Sequence, residues 1–167
     1  EALQVICAVL LTSDKVTISN LPDIKDVVLL IQLLEGLGVI VEKTASNTYS
    51  FQASEVNLDY FYSPEFVSNA SRIRGSVMLI GPLLARFGKA VLPKPGGDKI
   101  GRRRIDTHLL GLQKLGAIFN YDSENSLYSI KAPDLKGAYI LMDEISVTGT
   151  ANTVMAASMA QGVTTIY

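Results

Sequence analysis

The sequence predicts an α/β fold assembled from a repeated subdomain. Three observations carry this expectation. Helix-period and strand-period segments alternate along all 167 residues, the pattern of mixed α/β architecture. An amphipathic helix stopped by Leu-Gly and followed directly by a strand occurs twice, in Leu33-Leu34-Glu35-Gly36-Leu37-Gly38-Val39-Ile40-Val41 and in Leu112-Gln113-Lys114-Leu115-Gly116-Ala117-Ile118-Phe119. An apolar helix running into a short strand recurs at Val16, Val91 and Thr165, which lie 75 and 74 residues apart. That spacing exceeds the ~20–50 residues of solenoid repeats and suits a whole small subdomain.

Taken in order, residues 1–11 read as an apolar helix and Lys15-Val16-Thr17-Ile18 as a strand. Residues 23–36 place Val27, Leu30, Ile31 and Leu34 on one helical face, with Gly36 and Gly38 as the stop. Val39-Ile40-Val41-Glu42 reads as a strand, and Ser46-Asn47 as a turn into Tyr49-Ser50-Phe51. A loop containing Pro64 follows. Residues 74–85 are apolar on nearly every side, which marks a helix buried all round, and Gly81-Pro82 is placed to kink it. Residues 106–115 form the second amphipathic helix, closed by Gly116. Residues 117–121 and 126–131 read as strands joined by Ser123-Glu124-Asn125, and another strand is expected over 139–142. Thr150 or a neighbour caps a last apolar helix through Ala160, with Gly162 ending it before the strand-like run Val163-Thr164-Thr165-Ile166-Tyr167. The chain opens without methionine inside a helical pattern and closes inside a strand pattern, so a piece of a longer protein is expected.

Composition narrows the function classes. With 48% hydrophobic and 19% charged residues, the chain has enough apolar content for a core and too few charges for a disordered segment. A net charge of −1 gives no global pull toward nucleic acid or anionic membrane. The apolar runs stop short of the ~18 residues of a membrane helix, and no signal peptide is visible. Cys7 is the single cysteine, which excludes an internal disulfide and a cysteine metal cluster. Its apolar neighbours mark it as a buried, inert thiol, compatible with a reducing cytoplasm. No P-loop, dinucleotide fingerprint or serine-hydrolase elbow is present.

The candidate chemistry falls in three places. Residues 92–106 hold prolines, glycines and basic residues around Asp98, and lead into a helix whose first turn would favour an anion. Guanidinium forks there match phosphate and carboxylate; a solvated basic loop fits the same composition. Arg74 stands at the start of the all-apolar helix, either as an exposed end residue or as an anion ligand facing the same cleft. The run Asp143-Glu144-Ile145-Ser146-Val147-Thr148-Gly149-Thr150 offers hydroxyls and amides ahead of a helix, as simple caps or as a phosphate cradle. His108, the single histidine, cannot build a metal site alone and reads as structural or peripheral.

Together these residues resemble the UDP-N-acetylglucosamine enolpyruvyl transferase family. Arg74-Gly75-Ser76 with Gly81-Pro82-Leu83-Leu84-Ala85-Arg86-Phe87-Gly88 is similar to its arginine-led helix. Residues 92–101 resemble its mobile catalytic loop, residues 103–108 its uridine-binding segment, and Ser146-Val147 its diphosphate-contacting turn. The resemblance runs over essentially the whole chain in order. It implies a fold of two inside-out α/β barrels, each built from three βαβαββ-type subdomains with helices packed inward. Residues 1–167 would form most of one barrel, roughly two repeats and the start of a third, with the second barrel absent and the piece inactive alone.

The reaction so implied moves enolpyruvyl from phosphoenolpyruvate to the 3′-hydroxyl of UDP-N-acetylglucosamine and releases phosphate, the committed step of cytoplasmic peptidoglycan precursor synthesis, without a metal or other cofactor. The resemblance assigns Asp98 as the proton donor, where most members carry cysteine and a minority aspartate. It assigns Arg74 and Arg103 as anion clamps. Arg103, Arg104, Ile105, Asp106 and Thr107, with Glu144, Ile145, Ser146 and Val147, would hold the sugar nucleotide. A carboxylate is a poor nucleophile toward fosfomycin, so insensitivity to that drug is implied.

Overall fold

A computed structural model describes residues 1–96 and 105–167. The first unit opens with α1 (Ala2–Ala8), which tightens into a 3₁₀ turn over Val9–Leu11 and buries Ile6, Cys7, Val9 and Leu10. Then come β1 (Lys15–Ile18), α2 (Lys25–Gly36), β2 (Ile40–Ala45) and β3 (Thr48–Gln52). Asn47, at φ 57°, makes the β2–β3 turn. β3 lies between β1 and β2, antiparallel to both. Burial on α2 spreads beyond the expected face to Leu29 and Leu33, because the helix packs against both α1 and α3 (Pro64–Ala70).

α3 replaces the loop expected around Pro64. Ser63 caps it, its Oγ accepting from the Phe66 N–H at 3.0 Å, and Pro64 occupies the first helical position, where a missing N–H costs nothing. The expected single buried helix over 74–85 is two pieces: a 3₁₀ stretch over Arg74–Leu79, then α4 (Ile80–Phe87). The change of pitch precedes Gly81-Pro82. Pro82 therefore falls in the first turn of α4, where no intrahelical acceptor is required, and it starts a helix instead of kinking one.

The second unit continues with β4 (Lys89–Pro93), α5 (Asp106–Lys114), β5 (Ile118–Asp122) and β6 (Leu127–Lys131). Its sheet has β6 between β4 and β5, the order of the first unit. The two helix stops are superimposable in their bonding. Gly38 N–H donates to the Glu35 carbonyl at 2.9 Å and Val39 N–H to Leu34 at 3.0 Å; Gly116 donates to Gln113 at 2.9 Å and Ala117 to Leu112 at 3.0 Å. Both glycines have φ near +90° to +104°, a conformation that side-chain-bearing residues rarely adopt. Register corrects the repeat by one residue. Lys15 pairs with Gln52 and Gln52 with Ile40, whereas Lys89 pairs with Lys131 and Lys131 with Ile118. Val16 thus matches Ala90, not Val91. β4 is buried from Ala90 through Pro93, so it shows no alternation from which the sequence could fix its phase.

The last elements are β7 (Tyr139–Ile140), α6 (Val147–Ala157) and β8 (Thr165–Ile166), with β7 and β8 parallel. β7 is shorter than expected. Ser146, not Thr150, caps α6, its Oγ accepting from Gly149 N–H at 3.1 Å. The helices α4, α5 and α6 pack together at the centre and the three sheets lie outside; no sheet closes into a barrel among the described residues. A Cβ at Gly81 would collide with the Asn152 backbone carbonyl, and one at Gly111 with the Thr153 hydroxyl, so α4 and α5 approach α6 only because those positions lack side chains. Arg86 ties the two units, its Nη1 donating to the carbonyls of Leu10, Thr12 and Ala53 at 3.2, 2.9 and 2.6 Å. Among the described residues no helix is long and apolar enough to cross a membrane.

Candidate functional site

Three chain segments begin near one another on the face that carries the N-terminal ends of the central helices. The first is Arg74, half-buried, at the start of the 3₁₀ stretch. Its approach is fixed by Ser76, whose Oγ lies 2.8 Å from the carbonyls of both Ala70 and Ile73. The second is the start of α5, with Ile105 and Asp106 half-buried and Thr107 and His108 buried. The third is the start of α6, with Ser146 half-buried and Glu144, Ile145, Val147 and Thr148 exposed.

Two clefts open among these segments. One, of about 780 Å³, is lined by Glu144, Ile145, Ser146 and Val147 together with Gln4 and Tyr167. The other, of about 450 Å³, is lined by Arg74, Gly75 and Thr148, and again by Gln4. Gln4 of α1 is therefore the wall the two clefts share. Thr107 faces a smaller 90 Å³ space with Asp143. Arg74 and the Glu144–Val147 residues thus occupy adjoining clefts, and Ile105, Asp106 and Thr107 stand at the head of the neighbouring helix. Asp98, Arg103 and Arg104 lie outside the described residues. Gly96, the last described residue of the glycine-rich segment, fits so closely on the Ser71 carbonyl that a Cβ there would collide with it. That contact holds the segment's first part three residues ahead of Arg74.

A polar chain, buried as far as its last hydroxyl, links the segments; the sequence marked His108 as structural or peripheral and Thr148 as part of the 143–150 run, but not Asn152, which joins them. Asn152 of α6 has its Oδ1 2.7 Å from Gly81 N–H and its Nδ2 3.0 Å from the Val77 carbonyl, so its amide orientation is fixed by a backbone donor and a backbone acceptor. Nδ2 also lies 3.2 Å from His108 Nδ1, and His108 Nε2 lies 3.3 Å from Thr148 Oγ1. His108 is 2% exposed. Burial, and secondarily the Arg74 charge, lowers its pKa to about 4, so the ring is neutral near pH 7. Burial likewise pushes the Cys7 thiol well above the usual range, as expected of an inert core cysteine. The available signal for this chain was Asn152 itself, a polar residue inside an otherwise apolar helix.

Such an arrangement can bind anions: a guanidinium, a hydroxyl and first-turn amides of α6 border one region. Among the described residues no group of three His, Cys, Asp or Glu side chains converges to hold a metal ion.

Comparison with known proteins adds a family. Residues 2–167 match the family model for EPSP synthase (3-phosphoshikimate 1-carboxyvinyltransferase). The UDP-N-acetylglucosamine 1-carboxyvinyltransferase of Bacteroides fragilis is 59% identical over 167 residues, covering 100% of this chain and 38% of that protein. The enzyme of the same name from Porphyromonas gingivalis is 56% identical over the same length, again 38% of its own. The chain thus spans under two-fifths of the curated relatives it matches. Among solved structures, the enolpyruvyl transferase NikO from Streptomyces tendae superposes with a TM-score of 0.76 at 18% identity, covering 98% of this chain and 37% of that one. That likeness establishes a shared fold.

Proposed function

The chain belongs to the EPSP synthase family, and on that premise we propose that it is part of an enzyme transferring enolpyruvyl from phosphoenolpyruvate to the 3′-hydroxyl of UDP-N-acetylglucosamine, with release of phosphate. The observation that carries this reading is identity of 56–59% along the whole chain to proteins named UDP-N-acetylglucosamine 1-carboxyvinyltransferase. The step is the entry to peptidoglycan precursor synthesis in the cytoplasm. Residues 1–167 supply most of one barrel, and a second barrel completes the site. This chain alone does not turn over.

Chemistry at such a site must bring two anionic substrates together and protonate the methylene carbon of phosphoenolpyruvate. Arg74 and Arg103 clamp phosphate and carboxylate oxygens, which offsets their mutual repulsion and fixes the reacting atoms. Arg104, Ile105, Asp106 and Thr107, with Glu144, Ile145, Ser146 and Val147, hold the sugar nucleotide. Asp98 supplies the proton. A free aspartate has a pKa of about 3.9, so the bound substrates must desolvate Asp98 enough to keep it protonated, against the charge of the arginines that follow it in sequence. A carboxylate at this position leaves fosfomycin without its usual thiol nucleophile, so the enzyme is insensitive to that drug.

A second reading, with shikimate 3-phosphate as acceptor, is favoured by the description of the family model itself. Calorimetry on the full-length protein with each acceptor separates the two. Binding of UDP-N-acetylglucosamine without measurable binding of shikimate 3-phosphate is expected; the reverse would overturn the proposal.

A further inference from the structure

We propose that His108 is a positioning residue that aims the Thr148 hydroxyl at a substrate oxyanion in the Arg74 cleft. The inference rests on the reading of that cleft as a substrate site. Asn152 Oδ1 accepts from Gly81 N–H and Asn152 Nδ2 donates to the Val77 carbonyl. A flipped amide would set donor against donor and acceptor against acceptor. Nδ2 therefore also presents a hydrogen to His108 Nδ1, which must be the unprotonated nitrogen. A neutral imidazole has one N–H, so the hydrogen sits on Nε2 and is donated to Thr148 Oγ1.

That fixes what Thr148 can do. Its oxygen accepts from His108, and its own hydrogen cannot return along the same line. The buried hydroxyl of Thr153, by contrast, donates its hydrogen to the Gly149 carbonyl at 2.9 Å. Among the described residues Thr148 has no acceptor; its partner there is the protonated His108 nitrogen. Thr148 is exposed and lines the 450 Å³ cleft with Arg74, Asp26 and Glu1 as the charged residues of that lining. A hydroxyl held as a donor beside a guanidinium takes an oxyanion. The anion is a phosphate-type group, from either the diphosphate of the sugar nucleotide or phosphoenolpyruvate.

The test uses the full-length protein, with calorimetry for UDP and UDP-N-acetylglucosamine and steady-state kinetics for phosphoenolpyruvate, and with urea unfolding to check that each variant folds. Thr148→Val weakens binding by about 10–100-fold, the effect of losing a hydrogen bond to a charged group, and Thr148→Ser restores it. His108→Gln, whose amide nitrogen reaches the Nε2 position, binds near the unsubstituted level. His108→Asn, which keeps only the Asn152 contact, weakens binding as Thr148→Val does. A histidine serving the core alone would give the opposite order, because asparagine retains the buried bond. Weaker UDP binding assigns the anion to the diphosphate; a raised KM for phosphoenolpyruvate with intact UDP binding assigns it to that substrate. Thr148→Val within twofold of the unsubstituted protein in every measurement, or His108→Asn equal to His108→Gln, overturns the inference alone. Failure of the unsubstituted protein to bind UDP-N-acetylglucosamine overturns it together with the reading it rests on.

Discussion

His108 is buried as a neutral ring between a fixed amide and a hydroxyl, and this has a consequence for stability. Its folded pKa of about 4 lies below the ordinary value of 6.5. Between those values the unfolded chain binds the proton that the folded chain excludes. The stabilisation is therefore complete above about pH 6.5 and is lost as pH falls toward 4. The total at stake is on the order of 3 kcal/mol, from about 1.4 kcal/mol per pKa unit. Urea midpoints for the unsubstituted protein should fall between pH 7 and pH 4.5 more steeply than those of His108→Gln; parallel slopes would mean that His108 titrates normally. Residue identity was visible in the sequence, since a lone histidine, a lone cysteine and Arg74 beside an apolar run all stand out. The partners of His108 were not visible, because they lie 40 and 44 residues away and only the packing of α5 on α6 brings them together.

At the scale of elements, α6 owes its central place to Asn152 and to two glycines facing it. The Asn152 side chain satisfies Gly81 N–H and the Val77 carbonyl at the point where the 3₁₀ stretch becomes α4. Asn152→Ala leaves both buried groups unpaired, at about 1–3 kcal/mol each, and a loss of roughly 2–5 kcal/mol in urea unfolding is the expected outcome. A loss under about 0.5 kcal/mol, the level of a surface substitution, would show that the amide does not hold the junction. Most elements were legible from periodicity and from the Leu-Gly stops, because a repeated local motif needs no tertiary information. α3 was legible in principle from Ser63-Pro64-Glu65, an N-cap followed by proline at the first helical position. The 3₁₀ stretch was not, since uniform apolarity gives no measure of helical pitch, and the phase of β4 was hidden by its burial on both faces.

For the whole molecule, two units of matching strand order, helix stops and sheet register set their helices inward and their sheets outward. The N-terminal ends of α5 and α6 and the start of the Arg74 stretch then open toward one region, which is how residues far apart in sequence come to border adjoining clefts. The sequence order of these segments was enough to suggest the family; their spatial convergence depends on the packing of the repeats. Asp98 is the proton donor proposed to serve this region. Phosphate release from phosphoenolpyruvate, measured for the full-length enzyme and its Asp98→Asn variant at saturating UDP-N-acetylglucosamine, tests it most directly. Turnover by the unsubstituted enzyme and a loss of about 10²–10⁴-fold in the variant, the usual contribution of a general acid, with unchanged sugar-nucleotide binding, is the predicted result. A variant that releases phosphate at the unsubstituted rate would contradict it.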